Sequence, residues 1–441
     1  MLKMRCVLAM VLLSALACSA QSVAPGQSEV ELSLERAIQM ASYSQQSAAV
    51  RRGEQIVNVA KAGYGYARAN LLPSLDGAVT EQNQTVNLKA LGLRFQTPGF
   101  TIPDSEGPFS TFDTRIRMTQ NVLNLSMIRN LQAAHEDVHV AEAENARIRD
   151  DAAGRVARLY ASALGAEANL QEARANIVLA EALRDLALNK RSTGEGTDIE
   201  VARTSLAVLR HQQRLIAAET RLRQTDLDLI NLLKLDWNTR LKLTGKLAIV
   251  SGDLPAEADA VATALQSRAD LKEQEKRTVS AQLKSTAAKM ERLPSIIIYG
   301  DYGLLSGVQT HTVGATLKIP LFDGGRMESD RSEAFSQLRK EEIEEEELTK
   351  RVELEIRKVS STLAATRQQV AVAEQAVSFA NDVLAHARRL YEAGLTDSIA
   401  VIDAQTQLEI AKDEQVAALF DYTNARIDLA EAMGTTTKLT F

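Results

Sequence analysis

A seven-residue rhythm constrains this chain more than any other feature. Between Arg326 and Gly434 apolar residues recur at heptad spacing, and the pattern breaks once, at Gly394. The first arm carries Val352, Val359, Thr366, Ala373, Ala380 and Ala387 on one seam. Ile356, Leu363, Val370, Val377, Leu384 and Tyr391 form the other. Steps of four and three place both seams on one helix face. A repeat this long means a helix packed along its whole length against other helices. The break reads Ala393-Gly394-Leu395-Thr396-Asp397, where glycine can take the positive φ that ends a helix. The second arm pairs Ala404, Ala411, Ala418, Ala425 and Ala432 with Leu408, Gln415, Tyr422 and Leu429. An alanine seam has no bulk, so two backbones can approach closely.

The hairpin occurs twice. At an offset of 200 residues Gly394 falls on Gly194, Val401 on Val201 and Leu429 on Leu229. Such an internal repeat fixes the organisation of the whole chain. The first copy runs as an uninterrupted helical pattern from Asn124 to Thr193. At 1.5 Å per residue that helix is about 100 Å long, far more than a globular domain needs. A soluble stalk or a conduit crossing a compartment would each use such a rod.

A single helix is expected before each hairpin. The first covers Leu34 to Leu72 and stops at Leu72-Pro73-Ser74; the second covers Pro255 to Leu293 and stops at Leu293-Pro294-Ser295. Each stop leads into a non-helical stretch. Phe112, Thr114, Ile116, Met118, Gln120 and Val122 alternate with Asp113, Arg115, Arg117, Thr119 and Asn121. Val313, Ala315, Leu317, Ile319 and Leu321 alternate with Thr312, Gly314, Thr316 and Lys318. Period two with one apolar and one polar face marks strands. Further strands, less cleanly alternating, are expected near Ser74 to Val86 and Ser295 to Leu305. Such faces suit a small soluble sheet or a membrane barrel wall with a wet lumen. Four strands cannot close a barrel with a lumen, and an open edge cannot sit in lipid. A trimer would supply twelve strands and six hairpins.

The N-terminus, Met1-Leu2-Lys3-Met4-Arg5 followed by an apolar run to Cys18, reads as an export signal. Cleavage after Ala20 removes residues 1–20. A competing site after Ala17 would leave Cys18 first and open to lipidation. The other cysteine, Cys6, leaves with the signal in either case, so no disulfide within the mature chain is expected. A net charge of −6 and 4% aromatic residues argue against a nucleic-acid partner. After the signal no apolar run is long enough for a membrane helix. The domain reading is a first repeat over 29–235, with strands in 73–123 and a hairpin over 124–235. A linker at 236–255 follows, read as a belt outside the helical tube. The second repeat covers 256–434, with strands in 294–323 and a hairpin over 326–434, and 435–441 form a tail.

The two Leu-Pro-Ser stops and the strand exit Pro320-Leu321-Phe322-Asp323-Gly324-Gly325 resemble the TolC family of outer-membrane efflux proteins. So do the tip Tyr391-Glu392-Ala393-Gly394-Leu395 and the following Val401-Ile402-Asp403-Ala404-Gln405. The resemblance covers about Leu32 to Gly434. It implies a trimeric 12-stranded transmembrane β-barrel, four strands per chain, continuous with a long α-helical barrel. The implied role is the exit duct of a tripartite efflux pump or type I secretion system, without catalysis or cofactor. Implied partners are two further copies, outer-membrane lipid, a periplasmic adaptor and an inner-membrane transporter. Ala393-Gly394-Leu395 and Gly194 would be adaptor-contact tips. Asp403 matches the deeper of two aspartates that narrow the periplasmic mouth in some members. Ala400 stands at the shallower position, and Asp397, one turn nearer the tip, is a candidate substitute. Tyr391 is read either as a mouth residue or as a seam residue. The alternative function is an exported periplasmic coiled-coil spacer or adaptor that never enters the membrane. The paired alternating strands argue against it.

Two further stretches stand out. His135-Glu136-Asp137-Val138-His139 fits the His-Glu-x-x-His pattern of zinc peptidases, with both histidines on one helix face. A catalytic zinc needs a third protein ligand and an open position. No such motif follows downstream, so the segment is read as a solvated helix face without metal. The acidic run between Lys340 and Lys350 is read as a solvated face, with an acidic duct lining as the alternative.

Overall fold

The computed structural model describes residues 29–92, 99, 103–250 and 255–439. The expected signal segment with Cys18, and residues 251–254 of the expected linker, lie outside them. In chain order the first repeat contains β1 (Glu29–Leu32), α1 (Leu34–Tyr43), α2 (Ala48–Ala69), β2 (Ser74–Val86), β3 (Glu106–Leu123), α3 (Leu125–Ser192) and α4 (Asp198–Leu233). After β4 (Arg240–Leu243) come α5 (Glu257–Ser267), α6 (Ala269–Met290), β5 (Ser295–Leu305), β6 (Val308–Lys318), α7 (Arg326–Glu392) and α8 (Ser398–Ala432). A 3-10 turn at Thr436–Lys438 follows α8.

The single helices expected at 34–72 and 255–293 are each split in two. Ser44 leaves the helical region with ψ 135°, and Arg268 does so with ψ 128°. Arg268 shows why the second break holds. Its guanidinium pairs with Asp270 at 2.8 Å and Glu355 at 2.7 Å, and donates to the Ala432 carbonyl at 3.1 Å. One side chain thus ties the α5–α6 corner to both arms of the second hairpin.

The sheet is antiparallel in the order β2-β3-β5-β6. Its register sorts residues by polarity. Leu75 lies opposite Met118, Ile116 opposite Tyr302, and Gly300 opposite Val313, all on one face. Asp76 pairs with Arg117, Arg117 with Asp301, and Asp301 with Thr312 on the other. On that polar face Arg115 bridges Asp113 at 2.9 Å and Asp301 at 2.8 Å. The apolar face is open: Leu75 is 71% and Val313 83% exposed. The outer edges of β2 and β6 have no strand beside them among the described residues. β6 stops at Lys318 although the alternation runs on to Leu321, because Pro320 has no N–H to give to a ladder.

The hairpins bury their seams in three clusters strung along the rod. Nearest the middle, Val352, Ile356, Leu363 and Val370 of α7 pack on Tyr422, Ala425 and Leu429 of α8. Each fully buried side chain of that size contributes about 1.5–3 kcal/mol. A second cluster joins α1, α3 and the ends of α4 and α8 around Tyr160. Its hydroxyl donates to the Leu32 carbonyl at 3.0 Å and accepts from the Gly245 amide at 3.2 Å. β1 and β4 pair in parallel beside it, so the stretch after α4 is pinned to the N-terminal strand. The sequence reading had no strand at either place. The third cluster sits at the far end, around Tyr391.

The repeat also exposes a local mismatch. α8 ends at Gly434, φ +67°, with Thr435 N–H donating to the Ala430 carbonyl at 2.8 Å. α4 ends the same way, Leu235 N–H reaching the Ile230 carbonyl at 3.0 Å, but the left-handed residue is Lys234 at φ 56°. A side chain in that conformation costs about 1–2 kcal/mol, partly offset by the greater freedom glycine has when unfolded. Lys234→Gly is expected to stabilise the chain by roughly 0.5–1 kcal/mol, read as a higher thermal midpoint at unchanged helix content.

Candidate functional site

The ends of the two hairpins are built alike. At the first, Gly194 takes φ +82°, its N–H donates to the Arg191 carbonyl, and Glu195 N–H reaches back to Lys190 at 2.9 Å. At the second, Gly394 takes φ +73°, with the same bonds to Tyr391 and Leu390. Both are helix stops in which a left-handed glycine satisfies the last carbonyls. Each following helix is capped three residues later. Thr197 and Glu200 form a reciprocal capping box at α4. Asp397 caps α8, its carboxylate accepting from Ile399 N–H at 3.1 Å and Ala400 N–H at 3.4 Å.

The tips present apolar groups to solvent: Leu395 is 74% and Ile199 67% exposed, and Ile399 is exposed too. Ala393 and Gly394 lie beside Leu395 on the same open turn. From sequence Ile199 and Ile399 mark the repeat but are not among the expected tip-contact residues. Their signal was an apolar residue two positions after a helix cap, in both repeats.

Tyr391 lies in the seam. It is 1% exposed and packs with Leu384, Val401 and Leu183. Lys190 of α3 sits over its ring, 4.4 Å from the centroid, and donates to the Tyr391 carbonyl. The tyrosine thus couples the two tips rather than standing in open space within the chain. Asp403 differs: it is exposed, just inside α8, and takes part in no ion pair among the described residues. Asp397 is exposed as well, but its carboxylate is engaged by the helix start.

Below Asp403 the two hairpins are bolted together by charge. Glu409 of α8 is buried and pairs with Arg214 of α4, with His211 Nδ1 at 3.8 Å. Lys412 pairs with Glu172 of α3 at 2.6 Å. Burial holds His211 below its ordinary pKa against the pull of Glu409, and burial with Glu409 nearby pushes Asp413 up. Sequence reading missed this cluster, since residues about 200 positions apart reveal their pairing only when folded. The acidic run on α7 is laced by pairs along the helix, such as Arg339 with Glu342 at 2.6 Å and Lys340 with Glu344 at 3.3 Å. Its Glu341 turns inward and accepts from Gln274 at 2.9 Å. Among the described residues no helix is long and apolar enough to cross a membrane.

A family model described as outer membrane efflux protein matches residues 41–233 and 260–435. The pyoverdine export outer membrane protein OpmQ of Pseudomonas putida is 26% identical over 303 residues, which cover 64% of this chain. That match spans 61% of OpmQ's own length, less than two thirds. The outer membrane protein OprJ of Pseudomonas aeruginosa is 24% identical over 92% of this chain and 84% of its own. Among solved structures, CusC superposes with TM-score 0.76 at 17% identity, covering 92% of both chains. The Campylobacter jejuni CmeC outer membrane channel gives TM-score 0.76 at 16% identity over 91% of this chain and 86% of its own. At these identities the structural likeness speaks to the fold.

The tip geometry carries its own test. A Cβ on Gly394 meets nothing within 4 Å, so a substitution there is charged only for its backbone conformation. Gly394→Val is expected to cost about 1–2 kcal/mol locally. Hydrogen exchange should quicken over residues 390–400 while the cluster around Ile356 keeps its protection. Unchanged exchange at the tip would mean that the turn tolerates a side chain.

Proposed function

The chain belongs to the outer membrane efflux protein family, matched over most of its length, and from that premise we propose that it is the trimeric exit duct of a tripartite efflux pump. The family and the structural neighbours are outer-membrane channels, so this chain is an outer-membrane protein and not an enzyme. Membership in pumps of this kind implies a periplasmic adaptor and an inner-membrane transporter as partners.

The observation that carries the proposal is the four-stranded sheet with an exposed apolar face and two open edges, continuous with rods about 100 Å long. Unpaired strand edges are not tolerated in hydrocarbon. Three copies placed edge to edge would close twelve strands, with the apolar face against lipid and the Arg115–Asp301 face toward a wet lumen. The helices support the same assembly. Ile199 and Leu206, and Leu209 and Ile216, are exposed seven residues apart on α4; Val372 and Phe379, and Val383 and Leu390, repeat this on α7. These are seams that the chain's own helices leave uncovered, and helices of neighbouring copies fit them. An exported spacer outside the membrane would have no use for the open apolar sheet face.

In this trimer the hairpin tips, with Gly194, Ala393, Gly394 and Leu395, face the adaptor, and their exposed Leu395 and Ile199 supply apolar contact. Asp403 is the gate residue. Three carboxylates converging on one axis repel each other and attract cations. Tyr391 acts indirectly, by locking the two tips through Lys190, and Asp397 by holding the start of α8.

Cross-linking in outer-membrane fractions is expected to give a detergent-stable trimer. Recovery of monomers alone, free of membrane, would sink the proposal. In planar bilayers Asp403→Ala should reduce cation selectivity and block by trivalent cations with little change in trimer stability. Unchanged selectivity together with a weakened trimer would make Asp403 an interface residue.

A further inference from the structure

The His-Glu-x-x-His stretch, read from sequence as a plain solvated face, gathers more than that reading allows. It lies on α3 about ten residues from the sheet, roughly 15 Å along the helix. One ligand atom each from His135, Glu136 and His139 lie within 4.8 Å of one another. The two imidazoles meet edge to face with centroids 4.8 Å apart, and Tyr64 of α2 packs against His135 at 5.6 Å. We propose that His135, His139 and Glu136 form a binding site for a divalent first-row transition-metal ion.

Three observations carry this. A helical spacing of four puts the histidines one turn apart on one face, the placement by which two imidazoles share an ion. His139 is already oriented for it. Its Nδ1 lies 3.2 Å from Glu142 Oε2. A carboxylate only accepts, so in the neutral imidazole that contact takes the proton on Nδ1 and leaves Nε2 as the ligand atom. A carboxylate behind a metal-binding histidine is the usual orienting arrangement. Glu136 is poorly satisfied as it stands. Its Oε2 is buried without a hydrogen bond, its contact being the 3.4 Å ion pair with Lys276 of α6. A metal ion would give that carboxylate a stronger partner. Tetrahedral ligation at about 2.05 Å needs donor atoms about 3.3 Å apart, a contraction that rotations of partly exposed side chains can supply.

Two imidazoles and one carboxylate suit Cu²⁺, Ni²⁺ and Zn²⁺, with Cu²⁺ held most tightly. The site is not a peptidase centre. The glutamate that would act as base is itself a ligand here and faces Lys276, and the channel family carries no such chemistry.

The test uses the full chain, purified in detergent as its natural assembly without a polyhistidine tag, and Cu²⁺ alone as probe. Calorimetry is expected to give one ion per chain, and paramagnetic resonance to show coupling to two imidazole nitrogens. His135→Ala and His139→Ala should each weaken binding at least about tenfold and leave coupling to one nitrogen. Glu136→Gln should weaken it while keeping both nitrogens. His311→Ala, in β6, should change nothing. Alanine is the best helix former, so the helix survives both histidine substitutions. Unchanged stoichiometry and two-nitrogen coupling in the His135→Ala/His139→Ala double variant would overturn the assignment.

Discussion

Close approach of α7 and α8 along their heptad seams is the interaction on which the structure rests. A helix of 67 residues in water has no globular interior to bury its side chains in. Its stability comes from tertiary packing of one face rather than from propensity. Alanine at 418, 425 and 432 lets the α7 side chains Val352, Ile356, Leu363 and Val370 reach full burial. The same alanine-rich logic in α3 brings the first repeat alongside, and Arg158 then links it to Asp428 at 2.7 Å and to Glu431 of α8. The rod is one body because its seams are continuous, and the three clusters mark where the other elements join.

A second constraint acts at the sheet end. Each strand alternates, but only the register turns four alternations into two coherent faces. Arg115, Asp113 and Asp301 are mutually satisfied on the polar side, and the other face is mainly apolar. The sheet's unfinished edges and the uncovered helix seams are one deficiency expressed in two materials. In the proposed trimer, lateral neighbours would remove both at once.

At the opposite end shape depends on backbone more than on side chains. Left-handed glycines at 194 and 394 and caps at Thr197 and Asp397 make two turns of the same shape from different residues. Side chains then differentiate them. Lys190 over Tyr391 couples the turns, while buried Glu409 with Arg214 and His211 couples the shafts below. Separating the shafts would strand the buried Glu409 carboxylate away from its partner and from water.

The sequence alone determined the elements whose signal is periodic. Heptads gave the hairpins, period two gave the strands, and the 200-residue offset gave the duplication and both glycine turns. All of these are local or repeating patterns, and a chain must obey them wherever it folds. Tertiary structure decided what depends on residues distant in sequence. It split the leading helices at Ser44 and at Arg268, where the Arg268 contacts outweigh helix propensity, and it paired β1 with β4 across 211 positions. It turned Tyr391 inward and gave Asp397 to the α8 cap, whereas Asp403 stayed exposed. The tip positions were legible because glycine in a helix stop is a backbone signal. The bolts between hairpins were not, because an ion pair leaves no periodic trace: Glu409 finds Arg214 only once both seams are already packed.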